Sequence, residues 1–492
     1  MMYKLICTSS AVPSGRCKRY SPVPPTTHAP MSSPLPLTQA APPAPPVRPL
    51  WQVFMVFLGP MLLSNILQSL SGTLNSMFLG QMMGVKALAA VAAFFPVMFV
   101  FIAFVIGLGA GASVLIGQAW GAGQPDKVRA IAGTTLLTGL AMGATVALFG
   151  GLFTQPIMRL LGTPADILEQ ATVYSRIVLL GMPGLFIFLL FTSLLRGVGD
   201  TLTPMWSLIV STGIGLVSTP ALIAGWGGLP RLGVASAGVS MILGFSIALV
   251  WLTVQLRRKR SVLAPNRALL RAMRPDWGLL RGVLRVGIPT GVLMIATSLA
   301  GLVVLSLING FGSNATAAYG AVNQINAFAQ FPLISIAITA SILAAQSIGA
   351  GRSERLPAIA RTAMQINLAI GGATALLGTL FARPLLSIFI TDQEVLHVAV
   401  ELLRIVLWSG LLFGAFASLA ALMRASGDVL IPTLITIGVI ATLELPLAWL
   451  FSRHFGLVGI WMAFPVSYGI TLALQTWYYQ AIWKKRPIRK MV

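Results

Sequence analysis

Charged residues are scarce in this sequence. Only 9% of its 492 residues are charged, whereas a soluble protein carries about 25%. Apolar residues make up 56% of the chain and recur in stretches long enough to cross a membrane as helices, which takes about 20 residues. The stretches at 91–112 and 235–252 are too long and too uniformly apolar for the strands of a membrane barrel. The sequence therefore predicts an all-α polytopic membrane protein.

Cysteine and histidine are also rare. Two cysteines, Cys7 and Cys17, lie near the start of the chain, and three histidines are scattered along it. Neither a disulfide framework nor a metal site follows from them. The sequence has no cluster of nucleophiles or paired carboxylates that would indicate an enzyme. We therefore expect no catalytic residues, no metal and no cofactor.

Acidic residues are outnumbered by basic ones. There are 11 acids and 33 bases, and the formal net charge is +22. Such an excess can indicate nucleic-acid binding, but here nine bases fall within 257–285 and five within 484–490. Bases that flank apolar spans mark the cytoplasmic side of a membrane and contact anionic lipid. We expect a multi-pass protein of the plasma (inner) membrane, with both termini cytoplasmic, the lipid bilayer as a partner and no nucleic acid.

The apolar stretches predict twelve spans. They lie at 51–77, 87–112, 129–153, 172–195, 203–225, 234–256, 282–308, 317–345, 358–380, 398–422, 430–451 and 456–481. The predicted domains are a disordered proline-rich tail at 1–49, an N-terminal six-helix bundle at 50–256, a basic cytoplasmic linker at 257–281, a C-terminal six-helix bundle at 282–482 and a basic cytoplasmic tail at 483–492.

The two bundles repeat one another. The paired residues share an offset of 228, or of 229 for the prolines: Gln118 with Gln346, Gly121 with Gly349, Gly123 with Gly351, Arg196 with Arg424, Asp200 with Asp428 and Pro60 with Pro289. Because each repeat contains six spans, both have the same orientation and are related by a pseudo-two-fold axis along the membrane normal. Substrate sites in such folds lie between the halves, near the middle of the bilayer.

These duplicated motifs resemble those of the multidrug and toxic compound extrusion family. The resemblance rests on the Gly-Gln-Ala-Trp-Gly-Ala-Gly segment at 117–123, its copy at 345–351, the Leu-Arg-Gly-Val-Gly-Asp turn at 195–200, Pro60, and the opening of the last span at 456–461. It covers about residues 50–482 and implies a cation-coupled antiporter that expels organic, often cationic, compounds. It also implies two bundles that face a central cleft.

We interpret the repeated motifs as architecture and gating elements, not as substrate contacts. The glycines let the chain turn where a helix ends. Asp200 is predicted to pair with Arg196, and Asp428 with Arg424, at cytoplasmic helix ends.

The sequence departs from the family at three acidic positions. Many bacterial members carry an aspartate where this chain has Asn75, and others carry a glutamate where it has Thr297. A third family acid aligns approximately with Phe413. Sodium prefers anionic oxygen ligands, and so these differences favour a proton over a sodium ion as the coupling ion without excluding sodium.

One acid, Glu444, lies deep inside a span, roughly 20 Å from its cytoplasmic end. Acids within membrane spans are costly and are functional candidates by default. The sequence therefore predicts that Glu444 carries the coupling proton. The alternative is a structural carboxyl group that bonds a neighbouring helix.

Uncharged polar residues cluster in two spans. Gln68 and Asn75 lie seven residues apart in the first span, and Asn326 and Gln330 lie four apart in the eighth. These spacings place each pair on one helix face. We take these four residues, with Thr297 and Phe413, as candidates for the substrate cleft. Hydrogen bonding between helices is the alternative interpretation.

The predicted function is therefore the export of hydrophobic, often cationic, drugs or metabolites in exchange for protons or sodium ions, by a monomer. The alternative is a flippase for lipid-linked precursors. A flippase needs basic residues in its cleft for phosphate groups, and this sequence has almost none deep in a span.

Overall fold

The computed structural model describes residues 49–488, 490 and 491. Residues 1–48, which hold both cysteines and nearly all of the tail that is predicted to be disordered, lie outside the described residues. Arg489 and Val492 of the basic tail also lie outside them. The described chain forms sixteen α-helices and no strand: α1 (Leu50–Met83), α2 (Val85–Ala92), α3 (Phe95–Gly121), α4 (Pro125–Leu160), α5 (Leu168–Gly197), α6 (Leu202–Ala224), α7 (Ala235–Arg258), α8 (Arg267–Ala272), α9 (Trp277–Asn309), α10 (Ser313–Gly349), α11 (Leu356–Ile366), α12 (Gly372–Leu380), α13 (Ala382–Leu386), α14 (Gln393–Ala425), α15 (Leu430–Val439) and α16 (Leu445–Ala481). The all-helical prediction is confirmed.

Eleven helical segments in the described chain are long and apolar enough to cross a membrane, and the last of them, Leu430–Lys485, contains two spans. Gln475 Nε2 lies 3.1 Å from Thr436 Oγ1, 39 residues earlier. An uninterrupted helix of that length would separate them by about 58 Å. The chain instead reverses at Gly456, whose φ of 62° and ψ of −143° interrupt α16. The predicted twelve spans are therefore present.

The second span differs from the prediction of one helix over 87–112. The chain breaks before Phe95, and Pro96 occupies the first turn of α3, where its missing N–H leaves no bond unmade. Helix α3 then continues to Gly121, nine residues beyond the predicted end of the span, so the motif at 117–123 is mostly the last turn of a helix. Its copy at 345–351 likewise begins inside α10.

Pro60 and Pro289 lie inside continuous helices, α1 and α9. Two other helices contain a π-helical turn, at Asn367–Gly371 and at Ile440–Glu444. Single π-turns inside α-helices frequently mark functional positions. Both turns belong to the C-terminal half.

The two halves pack against each other on one side of the molecule, which we call the basic side because Arg257, Arg258 and Lys259 end α7 there and Lys484 and Lys485 follow α16. A buried cluster on this side combines residues of both halves, among them Phe54, Val114, Ile336 and Ile348. Farther from the basic side, the C-terminal half has a cluster of its own. The halves are therefore joined on the basic side.

Glycines allow the closest approach between the halves. A Cβ atom on Gly107 or Gly111 of α3 would clash with the backbone of α9 near Gly287, and one on Gly287 would meet Gly107. Pairs of small residues four apart let helices in a membrane approach to backbone contact. Helices α3 and α9 thus pack tightly from the basic side towards the middle of the bundle.

Candidate functional site

A cavity of about 190 Å³ lies inside the N-terminal half. It is lined by residues of α1, α3, α5, α6 and α7, and its apolar lining includes Phe78, Met98, Met241 and Phe245. No charged side chain is among the residues that line it. The cavity can therefore accept an apolar organic molecule, but it offers no ionic group to hold one.

Polar groups of the cavity come from three helices. Gln68, Ser71 and Asn75 project from α1, and the Thr219 hydroxyl of α6 donates a 3.3 Å hydrogen bond to Asn75 Oδ1. The Ser240 hydroxyl of α7 is buried at the cavity and has no hydrogen-bond partner among the described residues. A ligand with a polar atom could satisfy this hydroxyl group.

The structure brings two of the predicted cleft residues, Gln68 and Asn75, into one cavity and leaves the other four elsewhere. Asn326 and Gln330 are half-buried on α10 and do not line it. Thr297 is exposed on α9, where its hydroxyl group donates to the Met294 carbonyl oxygen at 2.9 Å. Their roles in substrate binding remain predictions.

Sequence reasoning missed the contribution of α6 and α7. Ser211, Thr212 and Thr219 all line the cavity. Their separations of one, seven and eight residues place them near one helix face, a pattern that the sequence displays. That pattern was obscured because serine and threonine are common in membrane helices, where they bond to their own backbone.

Glu444 lies in the C-terminal half, at the end of the π-turn before Pro446. Of the eleven acidic residues, all of which the structure describes, it alone is buried, with 6% of its surface exposed. It belongs to none of the three ion pairs in the described chain. Its carboxyl group is thus enclosed without a basic partner.

An aromatic cluster lies on α14 and α16, in the same half as Glu444. The Tyr468 ring lies 5.9 Å from Phe413, 5.6 Å from Phe416 and 5.9 Å from Phe464, measured between centroids. Phe413, a predicted cleft residue, therefore belongs to this aromatic cluster and not to the cavity of the N-terminal half.

Two glutamines close the basic side. Gln118 Nε2 donates to the Ala425 carbonyl oxygen at 2.8 Å, and Gln346 Nε2 donates to the Gly197 carbonyl oxygen at 3.0 Å. Each bond crosses from one half to the other, and the two are related by the internal repeat. We call this pair of bonds the glutamine clamp.

The clamp depends on glycines at the same helix ends. A Cβ atom on Gly121 would clash with the Gln346 carbonyl oxygen, and one on Gly349 would clash with the Gln118 carbonyl oxygen. Gly123 meets no atom within 4 Å. Two glycines of the repeated motif thus permit contact between the halves, while a third lies in the following turn.

The predicted arginine–aspartate pairs are wrong. Asp200 Oδ1 accepts the Thr203 backbone N–H at 2.9 Å, and Asp200 Oδ2 lies 3.6 Å from Lys259 Nζ. In the second half, Asp428 accepts a 2.5 Å hydrogen bond from the Tyr478 hydroxyl.

The turn geometry explains this correction. Gly199 and Gly427 precede the aspartates with φ of 93° and 86°. This left-handed conformation ends each helix. It directs Asp200 towards the start of the next helix, away from Arg196, and separates Asp428 from Arg424 in the same way.

A bundle of twelve membrane helices in two similar halves, with an internal cavity and a glycine-lined closing contact, is the architecture of a membrane transporter. Comparison with known proteins gives the family. The MatE family model matches residues 60–221 and 289–450, one match in each half. The chain is 41% identical over 444 residues to the probable multidrug resistance protein YoeA of Bacillus subtilis, covering 90% of this chain and 96% of the relative.

Other relatives and structures agree with that match. The FAD transporter of Shewanella oneidensis is 25% identical over 405 residues, covering 82% of this chain and 89% of the relative. A mutant of the MATE transporter VcmN of Vibrio cholerae superposes with a TM-score of 0.81 at 22% identity, covering 89% of this chain and 98% of that one. The chain belongs to the MatE family; it is a multi-pass membrane transporter and not an enzyme.

Proposed function

We propose that the protein is an antiporter that exports hydrophobic, often cationic, small molecules in exchange for protons. The observation that carries this proposal is the separation of two sites: an uncharged cavity in the N-terminal half, and the single buried acid, Glu444, in the C-terminal half. Exchange requires that ion and substrate bind alternately, and two sites in halves that share one interface can be coupled through it.

The lining of the cavity supports the substrate class. Aromatic faces such as those of Phe78 and Phe245 attract organic cations. The flexible thioethers of Met98 and Met241 adapt to ligands of different shape. A flippase substrate or a dinucleotide carries phosphate groups, and no lysine or arginine lines the cavity to bind them. An apolar cation therefore suits this cavity better than a phosphorylated substrate.

The isolation of Glu444 supports a proton as the coupling ion. A sodium ion prefers several anionic oxygen ligands, whereas Glu444 is the single buried acid of the described chain. A proton needs a single carboxyl group. Acids enclosed in membrane helices recur in proton relays.

The charge distribution supports an orientation. We place the basic side in the cytoplasm of a cell whose plasma (inner) membrane holds the protein, because basic loops are retained on that side. The clamp would then close the cytoplasmic end of the pathway. We expect a monomer, since both halves of the pathway belong to one chain.

Transport into liposomes tests the proposal. We would reconstitute the wild type, Glu444→Gln and the control Glu394→Gln, which changes an exposed acid in the first turn of α14. Ethidium movement would be measured under a pH gradient and, separately, under a sodium gradient. We expect pH-driven transport by the wild type and the control, and its loss in Glu444→Gln.

Two results would contradict parts of the proposal. Transport driven by sodium alone, or pH-driven transport that survives in Glu444→Gln, would remove Glu444 as the proton carrier. Absence of ethidium transport, together with movement of a fluorescent lipid-phosphate analogue between leaflets, would favour the flippase.

A further inference from the structure

Two residues that follow α16, Trp483 and Met491, lie at the contact between the halves. After α16 ends at Ala481, Trp483 is buried and its Nε1 donates to Ser426 Oγ at 3.0 Å. The Trp483 ring stacks on Tyr479 with centroids 5.1 Å apart. The start of the C-terminal segment is thus anchored to the C-terminal half.

The end of this segment reaches the glutamine clamp. The Met491 backbone N–H donates to Gln118 Oε1 at 2.8 Å, while Nε2 of the same amide group donates to Ala425. Gln118 is 1% exposed. Both ends of its amide group are therefore bonded away from water, which holds the side chain in one orientation.

The Met491 side chain spans both halves. It packs against the buried cluster of the N-terminal half and against the cluster that the halves share. Its thioether also lies against Gly427, at a spot that a Cβ atom would occupy. When the halves separate on the basic side, Met491 cannot keep its contacts with both.

The contact that Met491 makes has no counterpart in the other half of the described chain, although the glutamine clamp itself is duplicated. Gln346, the repeat partner of Gln118, makes the equivalent bond to Gly197 through Nε2. The hydrogen bond from Met491 goes to Gln118 alone of the two. The repeat therefore supplies its own control position: Gln346 tests the clamp without the C-terminal segment.

We propose that Met491 acts as a latch that stabilises the closed arrangement of the basic side by bonding Gln118. A ligand or segment that contacts one of two states shifts their populations by its differential interaction. One hydrogen bond to a buried group shifts an equilibrium by about two- to tenfold. Met491 would thus set how readily the transporter opens on this side.

Distances between spin labels test the latch in the full-length protein. Gln124 and Arg352 are exposed, occupy equivalent turns of the two halves, and would be replaced by labelled cysteines after Cys7→Ser and Cys17→Ser. Pulsed electron–electron double resonance then reports the distance between the two labels, and so the separation of the halves, in lipid. We expect Met491→Pro, which removes the donating N–H, and a chain ended after Arg486 to raise the wide-to-narrow population ratio about two- to tenfold.

A double-mutant cycle identifies the partner. If the latch acts through Gln118, Met491→Pro has little further effect in Gln118→Met but keeps its full effect in Gln346→Met. Equal effects in the two backgrounds, or an unchanged distance distribution in both tail variants, would overturn the proposal. The distance measurement needs neither substrate nor an ion gradient. A negative result for the latch is therefore distinguishable from a negative result for the proposed antiport. Only the role of the latch in transport rests on the proposed function.

Discussion

Gln118 and Gln346 make equivalent hydrogen bonds in opposite directions between the two halves of this transporter. Gln118 donates to the Ala425 carbonyl oxygen, and Gln346 donates to the Gly197 carbonyl oxygen. Neither bond can persist when the basic side opens, because each joins one half to the other. The same helix ends carry the glycines that allow the contact. The closing contact is therefore built from the duplicated motif itself.

Gly121→Ala and Gly349→Ala should impair closure of the basic side. The added Cβ atom would clash with the Gln346 or Gln118 carbonyl oxygen, a backbone atom that cannot swing away. Overpacking of this kind costs typically ~1–3 kcal/mol. The labels at positions 124 and 352 should report a wider separation in both variants. Gly184→Ala, which meets no atom within 4 Å, is the control and should leave the distance unchanged.

Filling the cavity should weaken substrate binding without unfolding the protein. Gly215 lines the cavity and has no atom within 4 Å of an added Cβ, so Gly215→Leu would place a side chain in the empty space. We expect at least a tenfold loss of ethidium affinity by fluorescence titration. Gly213→Leu, on the same helix and equally unhindered but outside the cavity lining, should bind as the wild type does. Equal affinities for the two variants would place the substrate elsewhere.

Asp428 and Tyr478 should act as a unit in stability. Hydrogen bonds to charged groups contribute about 1.5–3 kcal/mol, and this one joins the turn at Gly427 to α16. Asp428→Asn and Tyr478→Phe should each lower the midpoint of thermal unfolding in detergent, and the double variant should be little worse than either. Asp200→Asn combined with Tyr478→Phe should be additive instead, because Asp200 bonds Thr203 and Lys259. Additivity in both combinations would mean that the Asp428–Tyr478 bond contributes nothing.

Gly456→Ala should destabilise the hairpin between the last two spans. Gly456 has φ of 62° and ψ of −143°, a region that residues with a Cβ atom rarely adopt. The strain costs of order 1–3 kcal/mol, although no neighbouring atom obstructs the Cβ. Thermal unfolding should show a lower midpoint for this variant than for Gly469→Ala, which changes an unhindered glycine of the same helix. Equal midpoints would show that the reversal tolerates a side chain.

The sequence predicted the class of fold and its duplication. Apolar stretches of membrane-spanning length are local properties, and the offset of 228 residues is visible without any structure. Glu444 could be singled out for the same reason: an acid inside an apolar stretch is conspicuous. Its burial agrees with that reading, while its role in coupling remains a proposal.

Packing between helices escaped the sequence analysis. The glycines at 107, 111, 287 and 291 form two small-residue pairs that the sequence displays, but nothing in it says that the two pairs face each other. The aspartates were paired with arginines near in sequence because the sequence indicates a turn at 195–200 but not the direction in which Gly199 and Gly427 point the following aspartate.

By itself, the sequence determined that this chain crosses a membrane many times, in two similar halves, with almost no charge inside. Those features follow from the free energy of placing each side chain in hydrocarbon, which depends on local composition. The tertiary structure decided which polar residues share a cavity, that Asn75 meets Thr219 while Asn326 does not line the same cavity, and that Met491 reaches Gln118. Such contacts join residues that lie up to 373 positions apart in the chain, and they depend on helix rotation and close packing, which composition does not specify.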